Sequence, residues 1–341
     1  MNPKNKDKNE KENTVEPFLL KPACKDYIWG GERLAAEYGK DYGVSPLAET
    51  WECSVHSDGV SIVDSGAFKG LGLDELLKMH PELLGTNPLK NCSKGQLPIL
   101  IKFIDAARNA SVQVHPDDAY AEIYESGQRG KAEMWYILEA ETDSKLIYGF
   151  HHDMEREMVE SALKDGTIER HLNKVNVRKD DVFYVEPGTV HAIGAGMVLV
   201  EIQQNSNLTY RMYDYDRKDS NGNRRELHVE KALQVMKYRG DNVPRQPMRI
   251  LKYQPGCAVE LLCRCKYFQV ERMLLNVEEN SSRMIFRMDH SSFVVLVCLE
   301  GEARLIGPDF LSIRKGDCLF VPAGDGSICM EGKAQFLKIR C

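Results

Sequence analysis

The sequence predicts a mainly β protein: two jelly-roll (double-stranded β-helix) barrels in tandem, with small helical insertions. Three observations carry this. Short runs in which apolar and polar residues alternate, bounded by Gly, Pro, Asn and Asp, recur along the chain. Helical spacing is confined to a few short segments. Residues 180–191 and 315–327 both read turn, strand, turn, with Gly188 three residues before His191 and Gly324 three before Ser327, so the second half repeats the plan of the first.

Residues 1–17 are almost wholly polar and read as a disordered tail, and without an apolar core they make no export signal. From Phe18, strand-like residues lead to a turn at Trp29, Gly30 and Gly31 and then a short helix. Residues 48–54 and 59–63 read as paired strands, with Trp51 in the core or wall. Leu73, Leu76, Leu77 and Leu84 are helically spaced, and Pro81 divides them between two short helices. A second helical insert follows Asp153, its predicted N-cap; Gly166 is placed to end it and Thr167 to cap the next. His80, His151, His152 and His171, in or beside these helices, read as surface or core residues.

From residue 176 strands resume. Residues 197–203 alternate, Thr209, Arg211 and Tyr213 share a face, Asn221 and Gly222 mark a tight turn, and LHVEKALQVM reads as a helix. Pro244, Pro247 and Pro255 suggest a crossing segment between two β units. The last third is short alternating strands. The expected division is a tail over 1–17, a first, metal-binding barrel with helical inserts over 18–240, and a second barrel without metal over 241–341.

The 341 residues carry a formal charge of −6 and a pI of about 5.9, which offers no basic footprint for nucleic acid. No run approaches the roughly 18–20 apolar residues that a bilayer span needs. Ten scattered cysteines without a secretory signal read as reduced thiols. The expectation is a cytoplasmic protein with no nucleic-acid or membrane partner, a monomer or weak homodimer.

The chemistry concentrates near residue 115. Ser111, Gln113 and His115 fall at every second position of SVQVH, on one strand face, with Val112 and Val114 on the other. Lys131 and Glu133 are again two apart, at the start of another strand, and His191 ends the 180–191 stretch. A Gln, two His and a Glu from separated strand ends can form a mixed nitrogen and oxygen pocket for a divalent metal, zinc by its donor types. In the second half Ser327 replaces His191, and no His or Glu pairing occurs around 293–301. Plainer readings also exist. Gln113 can be a hydrogen-bonded strand residue, Glu133 can pair with Lys131 or Arg211, and Arg211 can hold a buried carboxylate such as Glu201.

The repeated turn, strand, turn resembles the second motif of the cupin barrel. Beyond it, YIWGGERL, AETWECS, LPILIKFIDAARNASVQVHPDDAYA, GKAEMWYILEA, PGTVHAIGAG and EIQQNSNLTYRMYDYDR together make the chain similar to type I mannose-6-phosphate isomerases (phosphomannose isomerases) of the shorter bacterial form, over nearly the whole ordered chain. The resemblance implies one zinc ion per chain held by Gln113, His115, Glu133 and His191. It also implies an essential Arg211, with Lys131, Lys102 and Ser111 lining the same cavity; Arg211 and Lys131 are then catalytic, and Lys102 and Ser111 touch substrate. The implied reaction interconverts mannose 6-phosphate and fructose 6-phosphate through an enediol. The chain departs from the family pattern at Glu186-Pro187-Gly188, where Pro-Ala-Gly is usual, and in its reduced helical insertions.

With a single carboxylate, such a zinc site keeps a charge of about +1, which suits an anionic intermediate and a phosphate substrate. Arg211 stays charged and serves as an electrostatic clamp rather than a base. For the base the sequence leaves open a metal-bound hydroxide, a deprotonated Lys131 or a further acid. Two rivals remain: a catalytically silent sugar-phosphate-binding sensor, and another metal-dependent cupin enzyme such as an iron-dependent oxygenase. Intact Glu133, His191 and Arg211 argue against the first, and Gln113 with the cationic residues against the second.

Overall fold

A computed structural model describes residues 15–91, 96–219, 221–240, 250–277, 283–307 and 310–341. The architecture is mainly β, as predicted. In the first barrel one antiparallel sheet runs Val182–Val185, Glu133–Ala140, Met197–Gln204, Ile99–Ala106, Glu49–Cys53, Ala23–Lys25. A second runs Leu172–Asn176, Lys145–Phe150, His191–Ala192, Val112–Val114, Tyr210–Tyr213.

The six-stranded sheet is buried on both faces, and the pleat sorts its residues. Ile99, Ile101, Phe103, Met134, Tyr136, Leu138, Val198, Val200 and Ile202 point outward into a core shared with the second barrel. Ile104, Trp135, Ile137 and Leu199 point inward, where they meet Trp29, Tyr148 and Phe183. Lys102, Glu133 and Glu201 alternate with the outward set, so their charges are confined to the inward face.

The second barrel is built from a sheet ordered Ile250–Gln254, Cys257–Arg264, Gln269–Val277, Ser327–Arg340, Val294–Ile306, Cys318–Val321, Phe18–Lys21, Ile62–Val63. Its last two strands come from the N-terminal part of the chain: Phe18–Lys21 pairs with Cys318–Val321, Phe18 opposite Phe320, and also with Ile62–Val63. Phe18 and Phe293 stack on either side of Phe320 with ring centroids 5.2 Å apart in each case, which gives this long-range pairing an aromatic seam.

Several local expectations meet the structure differently. Of the expected tail, residues 1–14 lie outside the described residues, while Val15 packs against the shared core. Pro244 and Pro247 also lie outside the described residues; of the segment expected over 240–254, Ile250–Gln254 is a strand, and Pro255 just after it makes, with Gly256 at φ +74°, the two-residue turn of a hairpin. Pro81 does separate a helix, Leu73–Met79, from a 3-10 turn, Pro81–Leu84. Asp153 is not an N-cap: the helix starts at Arg156, and Asp153 Oδ1 accepts from Gly240 N at 2.7 Å. Thr167 precedes the next turn without a capping bond from its side chain. Among the described residues no helix is long and apolar enough to cross a membrane.

Candidate metal centre

Val112 and Val114 anchor their strand in an apolar core behind the five-stranded sheet, which leaves Gln113 facing the barrel interior. Gln113 lies between His191 and Arg211, the residues opposite it on the two neighbouring strands. His115 follows at the strand end. Two glycines lock that end in place. Gly188, at φ +84°, donates its N–H to His115 O at 2.9 Å. A Cβ at Gly130 would fall 2.3 Å from the Asp117 backbone, an approach only glycine allows, and Lys131 N then donates to Pro116 O at 3.0 Å.

His115 Nε2 lies 3.4 Å from Glu133 Oε2, and His191 Nε2 lies 3.1 Å from Glu133 Oε1. One ligand atom from each of the three residues falls within 4.8 Å of the others, and all three side chains are buried. The tautomers follow from the outer contacts. His115 Nδ1 faces Leu208 O at 2.7 Å and His191 Nδ1 faces Thr189 O at 2.8 Å; carbonyls only accept, so each Nδ1 donates and each Nε2 presents a lone pair inward. Gln113 Nε2 is 3.4 Å from His191 Nε2, and a half-turn of the amide exchanges its nitrogen for its oxygen.

Burial, helped by the Lys131 charge, pushes the His115 imidazole down to about 3, so it is neutral near pH 7. Burial alone would raise the Glu133 carboxyl, but the Lys131 charge beside it holds it well below the usual carboxylate range. A neutral imidazole and an ionised carboxylate are the forms that bind a dication. His115 Nε2 and both Glu133 oxygens are buried without a hydrogen bond, a cost of about 1–3 kcal/mol for each unmet group that a cation between them would remove. The residues present therefore fit a metal ion.

Behind the centre the inward face carries a charge lattice. Lys131 Nζ is 2.9 Å from Glu133 Oε2 and 3.9 Å from Glu201 Oε1. Lys102 Nζ lies 3.3 Å from both Glu201 Oε1 and Glu49 Oε2. Burial works against the Lys102 charge, but Glu49 and Glu201 outweigh it and keep the group an ammonium ion. Trp135 Nε1 donates to Glu201 Oε2 at 2.8 Å and Trp51 Nε1 to Glu49 Oε2 at 2.7 Å, so both carboxylates are held by indoles. Three carboxylates face two ammonium groups here; a bound dication would turn a negative surplus into a positive one.

Arg211 Nε donates to Ser111 Oγ at 3.2 Å and its Nη1 to Glu226 O at 2.8 Å. It does not hold Glu201, whose oxygens face Trp135, Lys102 and Lys131. The structure thus brings Gln113, His115, Glu133, His191, Lys131 and Lys102 into one interior, with Ser111 and Arg211 beside Gln113. Sequence reasoning passed over Glu201 and Glu49 as site residues. The signal was available for Glu201: it is the one charge in the apolar run Met197–Gln204, on the same pleat face as Leu199 and Gln203.

Comparison with known proteins gives a consistent result. Residues 18–134 match the family described as phosphomannose isomerase type I, catalytic domain, and residues 259–340 match the mannose-6-phosphate isomerase cupin domain. The chain is 37% identical over 326 residues to mannose-6-phosphate isomerase ManA of Bacillus subtilis, covering 94% of this chain and 98% of that protein. It is 36% identical over 309 residues to a mannose-6-phosphate isomerase of Streptococcus mutans, covering 90% and 93%. The crystal structure of the mannose 6-phosphate isomerase from Bacillus subtilis matches with a TM-score of 0.86 at 31% identity, covering 95% of this chain and 99% of that one.

Proposed function

Because the chain belongs to the type I phosphomannose isomerase family, we infer that it is a mannose-6-phosphate isomerase that moves a proton between C1 and C2 of the sugar through an enediol. Zinc is the metal we assign to Gln113, His115, Glu133 and His191, supported by the nitrogen and oxygen donor set. The observation that carries this reading is the convergence of two imidazoles and an ionised carboxylate in a buried interior, one ligand atom of each within 4.8 Å of the others, with His115 Nε2 left without a hydrogen bond. When bound, the ion supplies Lewis-acid polarisation of the substrate oxygen without redox chemistry.

The remaining work falls to the chain's own side chains. Glu201 is the proton carrier: Oε2 is pinned by Trp135, while Oε1 is buried without a hydrogen bond and faces the interior. Its Oε1 takes the proton from C2 of the aldose and returns it to C1, while a lysine ammonium gives a proton to O1 and is restored by the one that O2 gives up, so both side chains end as they began. Lys102 and Lys131 keep that carboxylate company as cations and offer N–H donors to the sugar hydroxyls. Arg211, steadied by Ser111 and by Glu226 O, meets the negative charge that passes between the C1 and C2 oxygens. The nine described cysteines are free thiols, which supports a cytoplasmic setting.

Elemental analysis of the purified protein beside a mannose 6-phosphate turnover assay tests the reading. Zinc near one per chain is expected, with turnover lost on chelation and restored by zinc. Full activity after verified metal loss rejects it, and sugar-phosphate binding without turnover points to a silent sensor instead.

A further inference from the structure

The strand that carries Arg211 ends in a loop that doubles back onto it. Beyond Tyr213 the chain leaves the sheet, and its returning part, residues 225–228, lies against Arg211 again. His228 N donates to Arg211 O at 2.7 Å, Arg211 N donates to His228 Nδ1 at 3.3 Å, and Arg211 Nη1 donates to Glu226 O at 2.8 Å. One side of the guanidinium is therefore placed by main-chain atoms of the returning segment. Whatever holds that segment also aims Arg211.

The tie is made by Asp214 and Arg225. Asp214 is 6% exposed; its Oδ2 accepts from Arg225 Nε at 2.8 Å and its Oδ1 from Arg225 Nη2 at 2.5 Å, a two-pronged match of carboxylate to guanidinium. The same Oδ1 accepts from Arg217 Nη2. A Lys at 225 could keep the charge but not this fork.

Between these contacts the backbone is forced. Tyr215 and Asp216 are successive non-glycine residues at φ +55° and +54°, the left-handed region that side chains avoid. Arg217 holds the turn shut: its N and Nε donate to Asp214 O at 3.1 and 3.2 Å, and its guanidinium lies 5.2 Å from the centre of the Tyr215 ring. Strain kept by surrounding contacts beside an active site marks a geometry that is being imposed.

We propose that Asp214 and Arg225 are positioning residues for the isomerisation: their ion pair ties the outgoing and returning segments of this loop together and so aims the Arg211 guanidinium into the first barrel. The inference rests on the reading above, in which Arg211 acts on the substrate. It assigns no substrate contact to Asp214 or Arg225, whose facing groups are spent on each other.

A double-mutant cycle tests it. The enzymes Arg225→Lys, Asp214→Asn and Arg211→Ala are compared singly and in combination for kcat, KM, zinc content and thermal melting. Arg225→Lys and Asp214→Asn are each expected to lower kcat about ten- to hundredfold with zinc retained, and to cause no further loss once Arg211 is already alanine. If Asp214→Asn does not fold, Arg225→Lys carries the cycle alone. Losses that multiply in the Arg211→Ala background overturn the proposal, as does an Arg225→Lys enzyme with unchanged kcat. An Arg211→Ala enzyme with full turnover removes the role of Arg211 itself, and that single variant tells the two failures apart.

Discussion

Inside the first barrel, Glu49, Lys102, Glu133 and Glu201 sit on one sheet face, with His115, His191 and Lys131 beside them, all nearly inaccessible to solvent. Inside the second, the corresponding space is filled by Met273, Leu275, Phe286, Leu296 and Phe336. Where the first has buried His191 after its glycine turn, the second has exposed Ser327. An apolar interior closes a barrel by itself. A charged one persists only if each charge finds a partner, because desolvating an ion costs several kcal/mol before any pairing is counted. The first barrel meets that condition with indole donors, a lattice of ion pairs and a place for a cation. The second contributes by covering the outer face of the six-stranded sheet, which stiffens the strands that present Lys102, Glu133 and Glu201.

The contrast can be broken in order of expected effect. Chelating the metal should abolish turnover and also soften the first barrel, since a ligand held at a thousand times its Kd contributes about 4 kcal/mol to folding; calorimetry with and without zinc reads both. Glu201→Gln keeps an acceptor for Trp135 but loses the proposed proton carrier, and kcat should fall by about 10²- to 10⁴-fold with zinc retained. In the second barrel, Phe336→Ala should destabilise by roughly 3–5 kcal/mol while kcat per folded molecule stays unchanged, as measured by denaturant unfolding beside steady-state assays.

The smallest effect is on acid stability. Asp214 is raised by burial but, more strongly, lowered by Arg225 and Arg217, so its folded value lies below its unfolded one. Its ion pairs therefore stabilise the protein fully above about pH 4 and lose their effect as pH falls through the lower folded value. Wild type should accordingly lose more stability between pH 5 and 3 than Asp214→Asn, and equal acid slopes for the two would remove this contribution.

How much of this was legible follows from which contacts are local. The alternation in SVQVH separates Gln113 and His115 from Val112 and Val114 because the two strand faces meet different surroundings, and that pattern needs no tertiary information. Lys102 and Glu201 were each visible as a charge set among apolar neighbours, yet only Lys102 was read as a site residue. Asp153 failed as a cap because its side chain is drawn to Gly240, far along the chain. Nothing near Phe18 signals its pairing with Phe320, and nothing near Asp214 signals a bidentate partner beyond an intervening turn.

The order of residues alone determined a β-rich chain of two related halves, the candidate ligands Gln113, His115, Glu133 and His191, and the likeness to the family, because periodicity, turn chemistry and motif spacing are properties of neighbours along the chain. Tertiary structure alone decided that the first strand completes the second barrel, that Glu201 rather than Arg211 shares the lysine lattice, and that Arg211 takes its bearing from the segment ending at His228. Those outcomes depend on which distant groups are desolvated together, and desolvation is settled only when the sheets close on one another.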